Sequence, residues 1–189
     1  MALTRLRRAQ VVAIILAVVV QVSVVLVGLR LYAYPDTDAP APTDAVLVIG
    51  PPTPTRIAIA QRMVDAGLTS NVVISVPPPG SDSPGFEASA LPICSQPQTF
   101  TVYCVTPSPF TTQGEGRALQ SLAASHGWTS ATVITFTPHI LRARIIMELC
   151  FTGDLRMVAD RAPIGAARWI YEAIYQTSAF VKVLAEPSC

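Results

Sequence analysis

From Ala9 to Leu29 the chain carries no charged residue, and only Gln10, Gln21 and Ser23 are appreciably polar. A run of about 21 residues matches the roughly 20 that an α-helix needs to cross a hydrocarbon core about 30 Å thick. A cleavable signal peptide is the competing reading. Its apolar region is typically only about 7–15 residues and leads into a small-x-small cleavage site. Here the run meets Arg30 and then Leu31–Tyr32–Ala33–Tyr34, a poor cleavage site but a suitable interfacial belt. The sequence therefore predicts a single-pass anchor over 9–31. Arg5, Arg7 and Arg8 hold residues 1–8 in the cytoplasm, which exports the rest across the cytoplasmic membrane.

Beyond the anchor, the Pro-rich stretch 32–43 predicts a stiff, extended spacer that lifts an exported domain, 44–189, off the bilayer. That domain is about 150 residues long, enough for one core. Four of the 13 bases lie at or before Arg30, and no acid precedes Asp36, so nine bases face 12 acids in the remainder. A mildly acidic domain has no electrostatic footprint for nucleic acid, and that class of partner is excluded. The four cysteines, Cys94, Cys104, Cys150 and Cys189, form no C-x-x-C pair, and His126 and His139 supply no closely spaced metal ligands. No metal site is predicted. An even number of cysteines beyond the span fits disulfides in an oxidising exterior. Cys94–Cys104 would close a short loop and Cys150–Cys189 would tie the tail to a helix, with free buried thiols as the alternative.

Short apolar runs alternate with helical patterns. Ala45–Ile49, Asn71–Val76, Phe100–Val105, Ala131–Phe136 and Leu155–Ala159 read as strands. Arg56–Ala66, Thr112–His126, Pro138–Cys150 and Ala166–Leu184 read as helices, with Gly67 and Gly127 as stops. Residues 77–93 carry Pro, Gly and Ser without periodicity and predict a long loop. Strands alternating with helices imply an α/β, doubly wound, mainly parallel sheet of Rossmann-like type.

In such sheets ligands bind beyond the carboxyl ends of the strands. Three segments fall there: Gly50 to Arg56, Thr111 to Glu115, and Thr137–Pro138–His139 with Arg142. Gly50, Arg56, Thr112, Thr137 and Arg142 are the candidate ligand-binding residues, and Glu115 and His139 the candidate catalytic ones. An imidazole beside a guanidinium at a helix start suits phosphate or carboxylate. Each has a plainer role: Thr112-x-x-Glu115 as a capping box, His139 as a surface residue beside a proline, Arg142 and Arg144 as a solvated face. Ser75 stands at a strand end without a G-x-S-x-G elbow, so a structural role is favoured. No G-x-G-x-x-G follows the first strand and no P-loop occurs, so NAD or FAD is not expected and no cofactor is assigned.

Taken in order, Asp44–Gly50, Arg56 with Ile57–Gly67, Val72–Ser75, Pro109–Glu115 and Val133–Ala143 resemble the ElyC/SanA/YdcF family of bacterial envelope proteins. The most specific part is a hydrophobic strand, a threonine and then His139-x-x-Arg142-Ala143. The resemblance implies a Rossmann-like fold and a role in peptidoglycan or lipid-carrier metabolism. Two glycine-rich turns of the family are replaced here by Gly50–Pro51–Pro52 and Ser75–Val76–Pro77, and proline offers no amide to a phosphate. The expected function is binding of an anionic, phosphate-bearing wall or lipid-carrier intermediate. The alternatives are a hydrolase or transferase on such a substrate, or a non-catalytic interaction module.

Overall fold

The computed structural model describes residues 2–81, 84–88, 91–185 and 188–189. The apolar N-terminal run forms α1, Ala2–Gly28, which passes without a break into a π-helical turn, Leu29–Ala33. The stretch Gln10–Ala33 is long and apolar enough to cross a membrane, and none of its most apolar window is buried. A core helix of a soluble domain would bury one face; the described side chains of α1 leave their apolar surface uncovered by the domain.

Five strands follow: β1 Ala45–Val48, β2 Asn71–Ser75, β3 Thr101–Val105, β4 Ser130–Phe136 and β5 Asp154–Asp160. All pair in parallel, in the order β3-β2-β1-β4-β5. Helices α2 Pro54–Asp65, α4 Thr112–His126, α5 Ile140–Cys150 and α6 Ala166–Ala185 connect or follow them, and α3, Pro92–Ser95, is a single turn before β3. The sheet is buried on both faces, so β1 reads as a continuous apolar run rather than an alternation. Leu47, Val73, Val133 and Met157 pack under α4 and α5 with Leu119, Ala143 and Met147. Val46, Val48, Ile74 and Ile134 pack under α2 with Ala60 and Met63, and with Leu91 and Ile93 from the α3 region. Gly127 closes α4 at φ 71°, a left-handed position that costs glycine nothing.

Three expectations change. The segment before β1 is not a free spacer. The Asp38 amide donates to the Met157 carbonyl (2.8 Å), the Met157 amide donates to the Asp38 carboxylate (2.7 Å), and Arg144 pairs with that same carboxylate at 2.8 Å. The strap thus occupies the outer edge of β5, where unpaired backbone groups would otherwise stand open. Arg144, expected on a solvated face, clamps it. Second, the predicted loop 77–93 contains a 3₁₀ turn, Pro84–Phe86, and the start of α3, while positions 82, 83, 89 and 90 lie outside the described residues. Third, Pro138 opens a 3₁₀ turn, Thr137–His139, and α5 proper begins at Ile140. Both disulfides are formed, Cys94–Cys104 with Cα atoms 5.9 Å apart and Cys150–Cys189 with Cα atoms 4.9 Å apart.

Candidate functional site

The chain winds one way from β1 to β2 and β3 and the other way to β4 and β5. The connections diverge where β1 and β4 lie side by side, which opens a crevice beyond their carboxyl ends. Two cavities occupy it. One, about 660 Å³, is lined by Gly50, Thr112, Glu115, His139 and Arg142 together with Glu172 and Gln176 of α6. The other, about 760 Å³, holds Arg56 and Thr137 with Asp160 and residues Ala33, Tyr34 and Pro35, which follow the N-terminal helix. Pro51, Phe136 and Arg168 border both, so the residues singled out in the sequence fall on two sides of one wall.

Glu115 is strongly perturbed. Its carboxylate accepts the Gly50 amide at 2.7 Å and is almost wholly buried. Burial raises its pKa to about 7, against the opposing influence of Ser75, the Gly50 amide, Arg56 and Arg142. The expected capping box shifts by one residue: Thr111 is the N-cap and its hydroxyl accepts from the Gly114 amide. The Glu115 side chain, freed from capping, reaches back to β1. Gly50 is closely packed: a Cβ there would stand 2.8 Å from the Phe110 ring and 3.3 Å from the Glu115 carboxylate, so Phe110 would have to move aside.

His139 is buried, with Nδ1 2.9 Å from Thr135 Oγ1 and Nε2 3.5 Å from Thr112 Oγ1. Burial first, and then Arg142 and Arg56, push its pKa well below the usual histidine range. The imidazole is therefore neutral at physiological pH, and its two nitrogens divide into one donor and one acceptor between the threonines.

Arg56 is buried as well. Its guanidinium donates to the carbonyls of Ile49 (3.3 Å) and Pro51 (2.9 Å) and lies over the Phe136 ring, 5.2 Å from the centroid. The Nε atom stands 3.7 Å from Asp160, an ion pair too long for a hydrogen bond. Asp160 in turn accepts the Thr55 hydroxyl (2.8 Å) and the Ala162 amide (2.9 Å), and the Thr137 hydroxyl donates to its carbonyl (3.1 Å). On this side of the wall the polar groups pair mainly with one another, and the buried Arg56 Nε makes no hydrogen bond.

Arg142 differs. Its Nε donates to Gln176 Oε1 at 2.8 Å and its guanidinium sits 5.8 Å from the Tyr175 ring centroid. Its terminal nitrogens hydrogen-bond to no described residue. Gln176 also donates to Glu172 (3.0 Å), whose other oxygen pairs with Arg168 at 2.5 Å. Asp160, Glu172 and Gln176 escaped the sequence reading. Their signals were available: Asp160 ends a strand at the ligand-binding edge, and Glu172 and Gln176 stand four apart on one face of α6. Ser75 is wholly buried beside Glu115, which removes it as an accessible nucleophile.

Comparison with known protein families, with curated proteins and with solved structures returns no match.

Proposed function

We propose that this chain is a membrane-anchored envelope protein whose exported domain binds an anionic, phosphate-bearing intermediate of wall or lipid-carrier metabolism in the 660 Å³ crevice. The observation that carries this reading is Arg142. Gln176 orients its guanidinium through Nε and leaves the terminal nitrogens unpaired toward a cavity that also contains Arg168 and Lys182. A fork held from behind loses little entropy when it closes on a phosphate. The basic inner flank of α1, the two disulfides and the likeness of Asp44–Ala143 to the ElyC/SanA/YdcF family support the exported, wall-related setting.

The test is binding of a polyprenyl phosphate, and separately of inorganic pyrophosphate, to the full chain in lipid nanodiscs. Hydrogen bonds to a charged group are worth about 1.5–3 kcal/mol, so Arg142→Ala is expected to weaken binding about 10- to 100-fold. Equal affinity in the variant refutes the site. A second reading, a hydrolase or transferase on the same ligand, is favoured by Glu115. A carboxyl with a pKa of about 7 is divided between acid and base at neutral pH, as proton transfer requires. Turnover that survives Glu115→Gln would exclude that role.

A further inference from the structure

Helix α6 is amphipathic in the inverted sense. A helix on a soluble domain turns its apolar stripe inward and its polar face to water. Here Glu172 and Gln176 are each 1% exposed and face the domain, while Ile170 and Ile174 are 65% exposed and Val181 and Leu184 62%. These four recur at steps of four, seven and three residues, which places them on one face. Their exposure equals that of the α1 side chains, such as Ile14 at 63% and Leu16 at 59%. Thr177 lies on that same face, and its hydroxyl is 2.8 Å from the hydroxyl of Tyr32, in the turn where α1 ends. The apolar face of α6 therefore begins where the spanning helix leaves off.

We propose that α6 is an in-plane interfacial helix, its Ile170–Ile174–Val181–Leu184 face sunk into the same bilayer leaflet from which α1 emerges. The occupant of the face is lipid, because the face is continuous with the exit of α1 through the Tyr32–Thr177 contact. The Asp38 clamp on β5 limits any separation. Five Cα–Cα steps separate Ala33 from Asp38, a reach of at most roughly 18 Å. The flanks of the helix suit an interface. Tyr171 and Tyr175 stack with ring centroids 5.9 Å apart, with Arg168 over the first and Arg142 over the second. Aromatic rings at headgroup depth are the usual border of a helix lying in a membrane surface.

The consequence concerns access. Tyr171, Tyr175, Glu172 and Gln176 line the crevice from α6, so embedding this helix sets the crevice mouth at headgroup depth. A ligand carried on a lipid enters sideways from the leaflet, without leaving the membrane. This inference rests on α1 spanning a bilayer and not on what the crevice binds.

The test uses the full chain with one added cysteine at a time, both native disulfides left oxidised, a nitroxide attached, and reconstitution into nanodiscs containing anionic lipid. Collision with dissolved oxygen and with a water-soluble nickel chelate is read by electron paramagnetic resonance. Labels at Ile174→Cys and Val181→Cys are expected to show an oxygen-to-nickel ratio at least fivefold above that of Asp65→Cys on the exposed side of α2. Their ratio should lie between that of Asp65→Cys and that of Val19→Cys, which sits near the middle of the span. A ratio within twofold of Asp65→Cys overturns the proposal. Exclusion of both reagents overturns it too, and identifies a second copy of the chain as the cover. An aqueous signature at Val19→Cys would remove the anchor and the proposal together. Pyrophosphate binding measured in the same discs reports separately on the crevice ligand.

Discussion

Glu115→Gln isolates the electrostatics of the crevice. The variant keeps an oxygen that accepts the Gly50 amide, now 2.7 Å from the carboxylate, and changes little else in shape. In the folded chain burial lifts the carboxyl from 4.5 to about 7. At 1.36 kcal/mol for each tenfold change in proton affinity, that rise is about 3 kcal/mol of preference for the neutral form. The sign follows from which state holds the proton. Between pH 4.5 and 7 the unfolded chain has lost it and the folded chain has not, so stability falls as pH rises through this window and levels off above it. Glutamine does not titrate. The melting temperature of Glu115→Gln should therefore gain on the parent by roughly 6–12 °C between pH 4.5 and 8, taking about 2–4 °C per kcal/mol for a chain of this size. His139 acts in the opposite direction, because an imidazole held neutral by burial costs stability as pH falls below 6.5. It is common to both proteins and cancels in the difference. The assay is thermal unfolding of the detergent-solubilised full chain followed by near-ultraviolet circular dichroism. A gap that stays constant within about 2 °C across that range would refute the reasoning.

Other outcomes follow from the packing. Removing the Cys150–Cys189 bridge, which closes a separation of 39 residues, should cost about 4 kcal/mol by loop entropy and release the tail that Gln113 holds through Ser188. Gly114→Ala places a Cβ 2.0 Å from the Pro109 carbonyl oxygen, so a backbone shift of about 3 kcal/mol is expected in thermal melts, whereas Gly85→Ala meets no atom within 4 Å and should be nearly neutral. Asp38→Ala should free the strap and speed hydrogen exchange of the Met157 amide roughly tenfold, the loss of a bond to a charged group. In the parent, burial raises the Asp38 pKa, but the Met157 amide and Arg144 outweigh it, and the net value lies below 3.8. The strap's contribution is thus present above pH 3.8 and fades on further acidification.

Much of this architecture was legible along the chain. Apolar runs of strand length, helical spacing and the glycines at 67 and 127 located every strand of the sheet within one or two residues, and α4 from Thr112 to His126. These features are local: periodicity and backbone preference act over a few residues, whatever lies across the sheet. The parallel, doubly wound topology followed from alternation, since parallel strands need crossovers and crossovers cover both faces.

Other properties depended on partners distant in sequence. Composition alone makes 35–43 a spacer, yet Asp38 finds Met157 and Arg144 more than 100 residues away and becomes a clamp. Arg56, Arg142 and His139 look alike as polar residues near strand ends. Folding buries the first in carbonyls and Asp160, leaves the second with open donors, and holds the third neutral between two threonines. The amphipathic pattern of α6 is visible in the residues, but a pattern shows only that two faces differ. Which face meets the domain is decided by what the rest of the chain presents, and here Arg142 of α5 holds Gln176, which in turn bonds Glu172, on the inner side and leaves the apolar side out.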